Sequence, residues 1–357
     1  MEPITLRADG AGLTLAPSIG GAVTRYWLER DGATWEWLRP APVMAAYPLV
    51  PYSNRIREGR FAFRGRTVAL PLNRPPERHA IHGHGWQARW QVIEAGPSEA
   101  RLEYRHAADD WPWAYRATQR LTLRPTSLTV AITLTSEADA PMPAGLGWHP
   151  YFPRTPRATI AADVGAVWLT DTETMPTALA PPPAGGDPSR GVTVDGATLD
   201  NCFVGWSRRA LIEWPERRAS LLMTAGPPLD YLVVFTPPAL PFFCVEPVSH
   251  VTDAFNLAEA GRVDTGRRVL EPGATMEATV TLSPRAATAT PAPGVIGSER
   301  TTTPRWASAP STALATAAGP GIEPPSPTPL APSEVTGDGC SSRSTSMVGT
   351  SAAVGLR

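Results

Sequence analysis

The sequence lacks long hydrophobic runs. No window approaches about 18 uninterrupted apolar residues, so no membrane-spanning helix is expected. It also lacks an excess of either charge. Lys and Arg total 32 against 33 Asp and Glu, a net charge of -1, which argues against a nucleic-acid binder or a polybasic membrane binder. Cysteine is scarce. Cys202, Cys244 and Cys340 share no metal-ligand spacing, and an odd, sparse count fits a reducing cytoplasm. Residues 1–10 have no basic segment followed by an apolar one, so no secretion signal is expected. Helical periodicity is missing as well, since no long stretch repeats its apolar residues at the helical period.

What is present is strand signal. Residues 4–7 and 12–15 are short and alternating, Gly20-Gly21 marks a turn, and residues 22–28 form the next strand. Residues 90–94 and 100–104 bracket Gly96-Pro97-Ser98 as a hairpin. The clearest pair is 115–123 and 128–135, joined by Arg124-Pro125-Thr126-Ser127. In the second of these Val130, Ile132 and Leu134 face one way, and Ala131, Thr133 and Thr135 the other. Residues 276–282 alternate in the same manner. With 42% hydrophobic residues and many short strands between Gly/Pro turns, the chain is expected to be all-β, a large antiparallel β-sandwich.

The sandwich domain is placed at residues 1–285, with 181–190 as a surface loop. From residue 286 the composition turns to Ala, Thr, Ser, Pro and Gly, as in Pro324-Pro325-Ser326-Pro327. Such a segment buries too little apolar surface to offset its ordering entropy, so residues 286–357 are expected to be a disordered tail. A mis-called gene end would have the same composition.

Five stretches carry candidate chemistry. Residues 242–245 form an apolar strand that delivers Glu246 and is expected to stop at Pro247, since proline cannot continue a sheet ladder. A carboxyl at the end of a buried strand can have its pKa tuned and act as a base. His149 follows Trp148 and precedes Pro150-Tyr151-Phe152, where a second strand is expected to end. Aromatic faces beside a polar group suit a sugar ring. His82 and His84 lie two apart among glycines. That spacing suits a metal pair on one strand face, but Gln87, Ala88 and Arg89 stand where a third ligand is needed. No metal or other cofactor is therefore expected. The glycines suggest instead a backbone that a ligand approaches closely. Asn54-Arg55 sits in a turn-like polar segment, and the Arg55 fork could hold ligand oxygens. Asp200 precedes a strand, where capping a turn is its simplest role.

Taken in order, "SNRI", "IHGHGW", "GWHPYF", the Leu199-Asp200 step and "CVEP" resemble the aldose 1-epimerase (galactose mutarotase) family, as does the opening "APSIGGAVTRYWL". The resemblance covers about residues 5–284. It implies a galactose mutarotase-like supersandwich with a sugar cleft across one sheet, and cofactor-free exchange of the α and β anomers of aldoses. It implies Glu246 as base and His149 as acid, with Asn54, Arg55, His82 and Asp200 holding the sugar. The family often has His-Gly-Gly where this chain has His82-Gly83-His84, and Thr-Asn-His where it has Gly147-Trp148-His149. Those departures bear on substrate preference.

Anomer exchange opens the ring: the C1 hydroxyl loses a proton while the ring oxygen gains one, and closure reverses both transfers. An acid and a base suffice. A nearby carboxylate is expected to raise the pKa of His149 and keep it charged near neutrality. The acid limb of the rate profile should then report the carboxylate and the alkaline limb the imidazolium. With no Gly-rich phosphate loop and no tight basic cluster, free aldohexoses are expected over their 6-phosphates. Three other readings remain open from sequence. A hexose-6-phosphate mutarotase would draw on Arg57, Arg74 or Arg78, a glycosidase would pair Glu246 with Asp200, and a non-catalytic sugar-binding sandwich would need no Glu/His pair.

Overall fold

Alternation along the strands dictates two packed sheets. The computed structural model describes residues 2–30, 32–41 and 45–286; residue 286 ends a strand, and the rest of the expected disordered tail, 287–357, lies outside the described residues. Among the described residues, the two large sheets have 11 and nine strands, three two-stranded sheets lie beside them, and every strand pairing within the large sheets is antiparallel. The Ser127–Ser136 strand alternates partly exposed and buried without a break, with Val130, Ile132 and Leu134 buried as the sequence implied. It pairs with Tyr115–Arg124 through the Arg124 to Ser127 turn, and on its other side with the last strand, Thr275–Ala286. The hairpin around Gly96 is also present, between Gln91–Ala95 and Glu99–His106. The one α-helix among the described residues is the six-residue Ala254–Glu259, so no helix there is long and apolar enough to cross a membrane.

The centre of the larger sheet runs Ala46–Leu49, Gly147–Pro153, Phe242–Val248, Tyr231–Phe235, Asp200–Val204. Period-two alternation sorts these strands between two environments. Phe243, Val245, Leu232, Val234, Trp148 and Phe152 point into the core shared with Val130, Ile132 and Val280 of the smaller sheet. Their neighbours Glu246, Val233 and His149 point to the opposite face. There Ile81, Trp86, Val251 and Ala254 join Tyr47 and Leu49 in a separate apolar cluster.

Two readings of proline are corrected here. The Phe242–Val248 strand continues through Pro247, which lies opposite Leu232, and Gly147–Pro153 continues through Pro150, opposite Ala46. Each proline is tolerated because the ladder between these two strands is open at that point. Their pairs are Gly147 with Val248 and Tyr151 with Cys244, with none in between. The missing N–H groups fall in that interval.

Candidate active site

The open interval holds His149 and Glu246. The flanking pairs put these two residues directly across from one another, side chains on the outer face. His149 Nε2 lies 3.2 Å from Glu246 Oε1, and both residues are buried, at 5% and 3% exposure. Register extends the row across the sheet. Tyr47 is opposite His149, Val233 opposite Glu246, and Cys202 opposite Val233. The next row, two residues along each strand, is Tyr151, Cys244, Phe235, Asp200. Tyr47 and Tyr151 both pack on the imidazole of His149, each with ring centroids 4.7 Å away, and their hydroxyls meet at 3.2 Å. Trp148, by contrast, is fully buried between the sheets, so the aromatic support beside His149 comes from the two tyrosines rather than from its tryptophan neighbour.

All six residues nominated from sequence, Asn54, Arg55, His82, His149, Asp200 and Glu246, line one cleft. Their roles differ in part from expectation. Arg55 donates from Nε to Glu77 at 3.1 Å and from Nη2 to Asp200 at 3.4 Å, so its fork holds two carboxylates in place. Asn54 Oδ1 accepts the Arg55 N–H at 2.8 Å and Nη1 at 3.3 Å, which fixes the direction of the arginine. Asp200 is thus an ion-pair partner as well as a cleft residue, not simply a turn cap. His82 Nδ1 accepts the Asn54 N–H at 3.2 Å, which leaves the proton of the neutral ring on Nε2. Burial keeps that ring neutral, its pKa well below the usual value, and His149 and Arg55 reinforce the effect.

The spacing of His82 and His84 does not make a pair. His82 and Gly83 have φ of +64° and +67°, so the chain turns and the shared-face rule of a strand does not apply. His84 swings to the smaller sheet, with Nδ1 3.0 Å from Tyr115 Oη and its ring stacked on His106. The glycine has a different purpose from the one the sequence suggested. A Cβ on Gly83 would lie 2.2 Å from the Val50 carbonyl oxygen, so the close approach is to the protein's own backbone, not to a ligand.

Burial also reverses the expected charge state of the pair. Desolvation raises the Glu246 carboxyl well above the usual range, Asp200 adds to that, and Arg55 pulls it back. Desolvation pushes His149 down to about 3, and the Arg74 and Arg55 guanidiniums add to it. Both shifts favour a neutral carboxyl beside a neutral imidazole over a charged pair. The two groups share one proton between them.

Two further cleft residues had been noticed in other connections, Arg74 as a possible phosphate holder and Tyr151 among the aromatics beside His149. Tyr47 also lines the cleft and Glu77 reaches it through Arg55, and neither carried a sequence signal of its own. Tyr151 could have been found by counting two residues from His149. Tyr47 is brought by register from about a hundred residues away.

Comparison with known proteins points to one family. The family model for aldose 1-epimerase matches residues 2–283. The uncharacterized protein YphB of Escherichia coli (strain K12) is 31% identical over 256 residues, 68% of this chain and 86% of YphB. A solved structure of an aldose 1-epimerase candidate from Escherichia coli K12 superposes with a TM-score of 0.73 at 27% identity, covering 80% of this chain and 99% of that one. A galactose mutarotase-like protein from Clostridium acetobutylicum gives 0.70 at 18% identity, covering 80% and 95%, a likeness of fold.

Proposed function

Because this chain belongs to the aldose 1-epimerase family, we propose that it interconverts the α and β anomers of free aldohexoses by general acid and base catalysis, with Glu246 and His149 as the exchanging pair. The observation that carries the reading is a buried carboxyl and imidazole 3.2 Å apart on the floor of an open cleft. Moving the shared proton onto His149 Nε2 leaves a carboxylate that takes the proton from the C1 hydroxyl. The imidazolium then donates to the ring oxygen as the C1–O5 electron pair moves onto it. The aldehyde rotates about C1–C2, and closure on its other face reverses both transfers and returns the pair to its starting state. The scheme uses no cofactor. His82 Nε2–H and the Arg55–Asp200 pair are suited to hold sugar hydroxyls, and the faces of Tyr47 and Tyr151 suit the C–H side of the ring.

Preference for unphosphorylated sugars is supported by how the rim arginines are used. Arg57 pairs with Asp171 and Asp253, and Arg78 pairs with Glu173. Of the three arginines considered for a phosphate, only Arg74 faces the cleft, and one exposed guanidinium is a weak phosphate site. The two buried thiols, Cys202 and Cys244, are free, which supports the cytoplasmic location read from the sequence. NMR exchange spectroscopy on glucose, galactose and glucose 6-phosphate tests the assignment. Absence of exchange for every free aldose, or a preference of about tenfold or more for the phosphate, overturns it.

The charge state of the pair sets the pH profile. The active state carries one proton. Lowering the pH adds a second proton to His149, whose affinity for it burial has cut to about 3. Raising the pH removes the proton that burial holds on Glu246 above the usual carboxylate range. The acid limb of kcat/KM is therefore assigned to the imidazole and the alkaline limb to the carboxyl, the opposite of the sequence expectation, with apparent values belonging to the pair. An acid limb centred near the ordinary histidine value of about 6.5 would contradict this.

Arg55→Lys is expected to act through binding. A lysine can hold Glu77 or Asp200 but not both in the present geometry. The loosened Asp200 should then lose a charge-assisted hydrogen bond to the sugar of about 1.5 to 3 kcal/mol, which raises KM about 10-fold to 160-fold, with a smaller change in kcat. Steady-state kinetics on one aldose, with kcat and KM resolved separately, measures it.

A further inference from the structure

Cys244 lies two residues before Glu246 on the same strand, so both project onto the cleft face. The proton-transfer scheme does not use it. Its thiol, His149 and Glu246 each offer one ligand atom, and the three atoms lie within 4.8 Å of one another. We propose that His149, Cys244 and Glu246 form a binding site for a borderline-soft divalent cation, zinc in the first place, and that the cation competes with the sugar by engaging both proton-transfer groups.

The donor set points to that class of ion. Imidazole nitrogen, thiolate sulfur and carboxylate oxygen are the three donor types zinc takes, and a thiolate selects against magnesium and calcium, which want six or more oxygens. Tetrahedral zinc, with bonds of about 2.0 to 2.3 Å, sets neighbouring donors about 3.2 to 3.8 Å apart. The 3.2 Å between His149 Nε2 and Glu246 Oε1 already meets this. The Cys244 sulfur lies within 4.8 Å of the other two donors, beyond the tetrahedral spacing by about an ångström at most. Three protein donors leave a fourth position for water, as in open zinc sites. The charges balance: a neutral imidazole, a thiolate and a carboxylate present two negative charges to a dication. The thiol and the carboxyl must give up their protons on binding, so affinity should rise with pH.

A second cluster, His84, His106 and Asp109, has a similar spacing but poorer directions. His84 and His106 stack with centroids 4.4 Å apart and planes inclined by 6°, so their in-plane lone pairs cannot converge on one ion unless both rings turn. His106 Nε2 is also occupied by the Trp111 carbonyl at 3.1 Å. This cluster serves as the control.

Cobalt(II) titration of the full chain tests the site directly, independently of any mutarotation. The wild-type protein should develop the near-ultraviolet thiolate-to-cobalt charge-transfer band, strengthen it as the pH rises, and lose it on adding zinc. Cys244→Ser and Cys244→Ala, each checked for native circular dichroism, should lack the band, and His106→Gln should keep it. In the mutarotation assay zinc should raise the apparent KM of the wild type. Each Cys244 variant, compared with its own zinc-free rate, should need at least about tenfold more zinc for the same effect. No charge-transfer band in the wild type, a band that survives both Cys244 variants, or a band lost in His106→Gln overturns the proposal.

Discussion

Anomer exchange by the Glu246→Gln protein is expected to run about 10² to 10⁴ slower than by the wild type, the usual contribution of a positioned acid–base group. Glutamine keeps the shape and volume of the buried carboxyl but can neither take the C1 hydroxyl proton nor release one. The fold should survive the change. Burial has already pushed Glu246 toward its neutral form, so a neutral amide meets the same surroundings without the cost of a desolvated charge. Denaturant stability is therefore expected to hold or rise while kcat falls. His149→Gln should lose a similar factor, and the double variant little more than either single one, because the two residues share one proton and act as a unit. Near-wild-type exchange by a folded Glu246→Gln protein would remove the pair from the mechanism.

Gly83→Ala is expected to cost about 2 to 6 kcal/mol of stability and to lose most activity with it. A residue with a side chain at φ +67° costs about 1 to 3 kcal/mol in backbone strain. Its methyl would sit 2.2 Å from the Val50 carbonyl oxygen and 2.6 Å from Pro51 Cδ, and relieving such overpacking costs about 1 to 3 kcal/mol more. The strand end cannot retreat easily, because Val50 O accepts the N–H groups of His84 and Gly85 at 2.9 and 3.1 Å. If the 82–85 turn moves instead, the His82 ring leaves its hydrogen bond to Asn54 and its place beside His149. Gly65→Ala serves as the control. It too has a left-handed backbone, φ +79°, but an added Cβ meets nothing within 4 Å, so only the strain should appear. Urea unfolding of the two variants beside the wild type separates strain from overpacking. Equal losses would show that contact with Val50 contributes nothing.

Much of the fold was legible because sheet formation is a short-range statement. Alternation in 127–136 fixed which residues enter the core, and the polar turn at Pro125-Thr126 fixed the hairpin. In the structure the same period of two puts Glu246 on one face and Phe243 and Val245 on the other. Residue type, and the family that the order of the motifs resembles, were enough to pick out the six cleft residues. The prolines misled because the rule that proline ends a ladder assumes a continuous ladder, and Pro150 and Pro247 sit where this one is open.

What the sequence by itself determined, then, was the all-β class, the inward and outward faces of each strand, and the groups available for proton transfer. Tertiary structure alone decided which of them meet and in what charge state. Tyr47, His149 and Glu246 fall in one row only through the registers of three strands drawn from distant parts of the chain, and a period of two fixes a face without fixing a partner. The Arg55 fork found its carboxylates, Glu77 and Asp200, and Cys244 came up beside His149, for the same reason. The direction of each pKa depends on how much water the covering segments exclude. That is a property of packing between remote residues, and no local pattern encodes it.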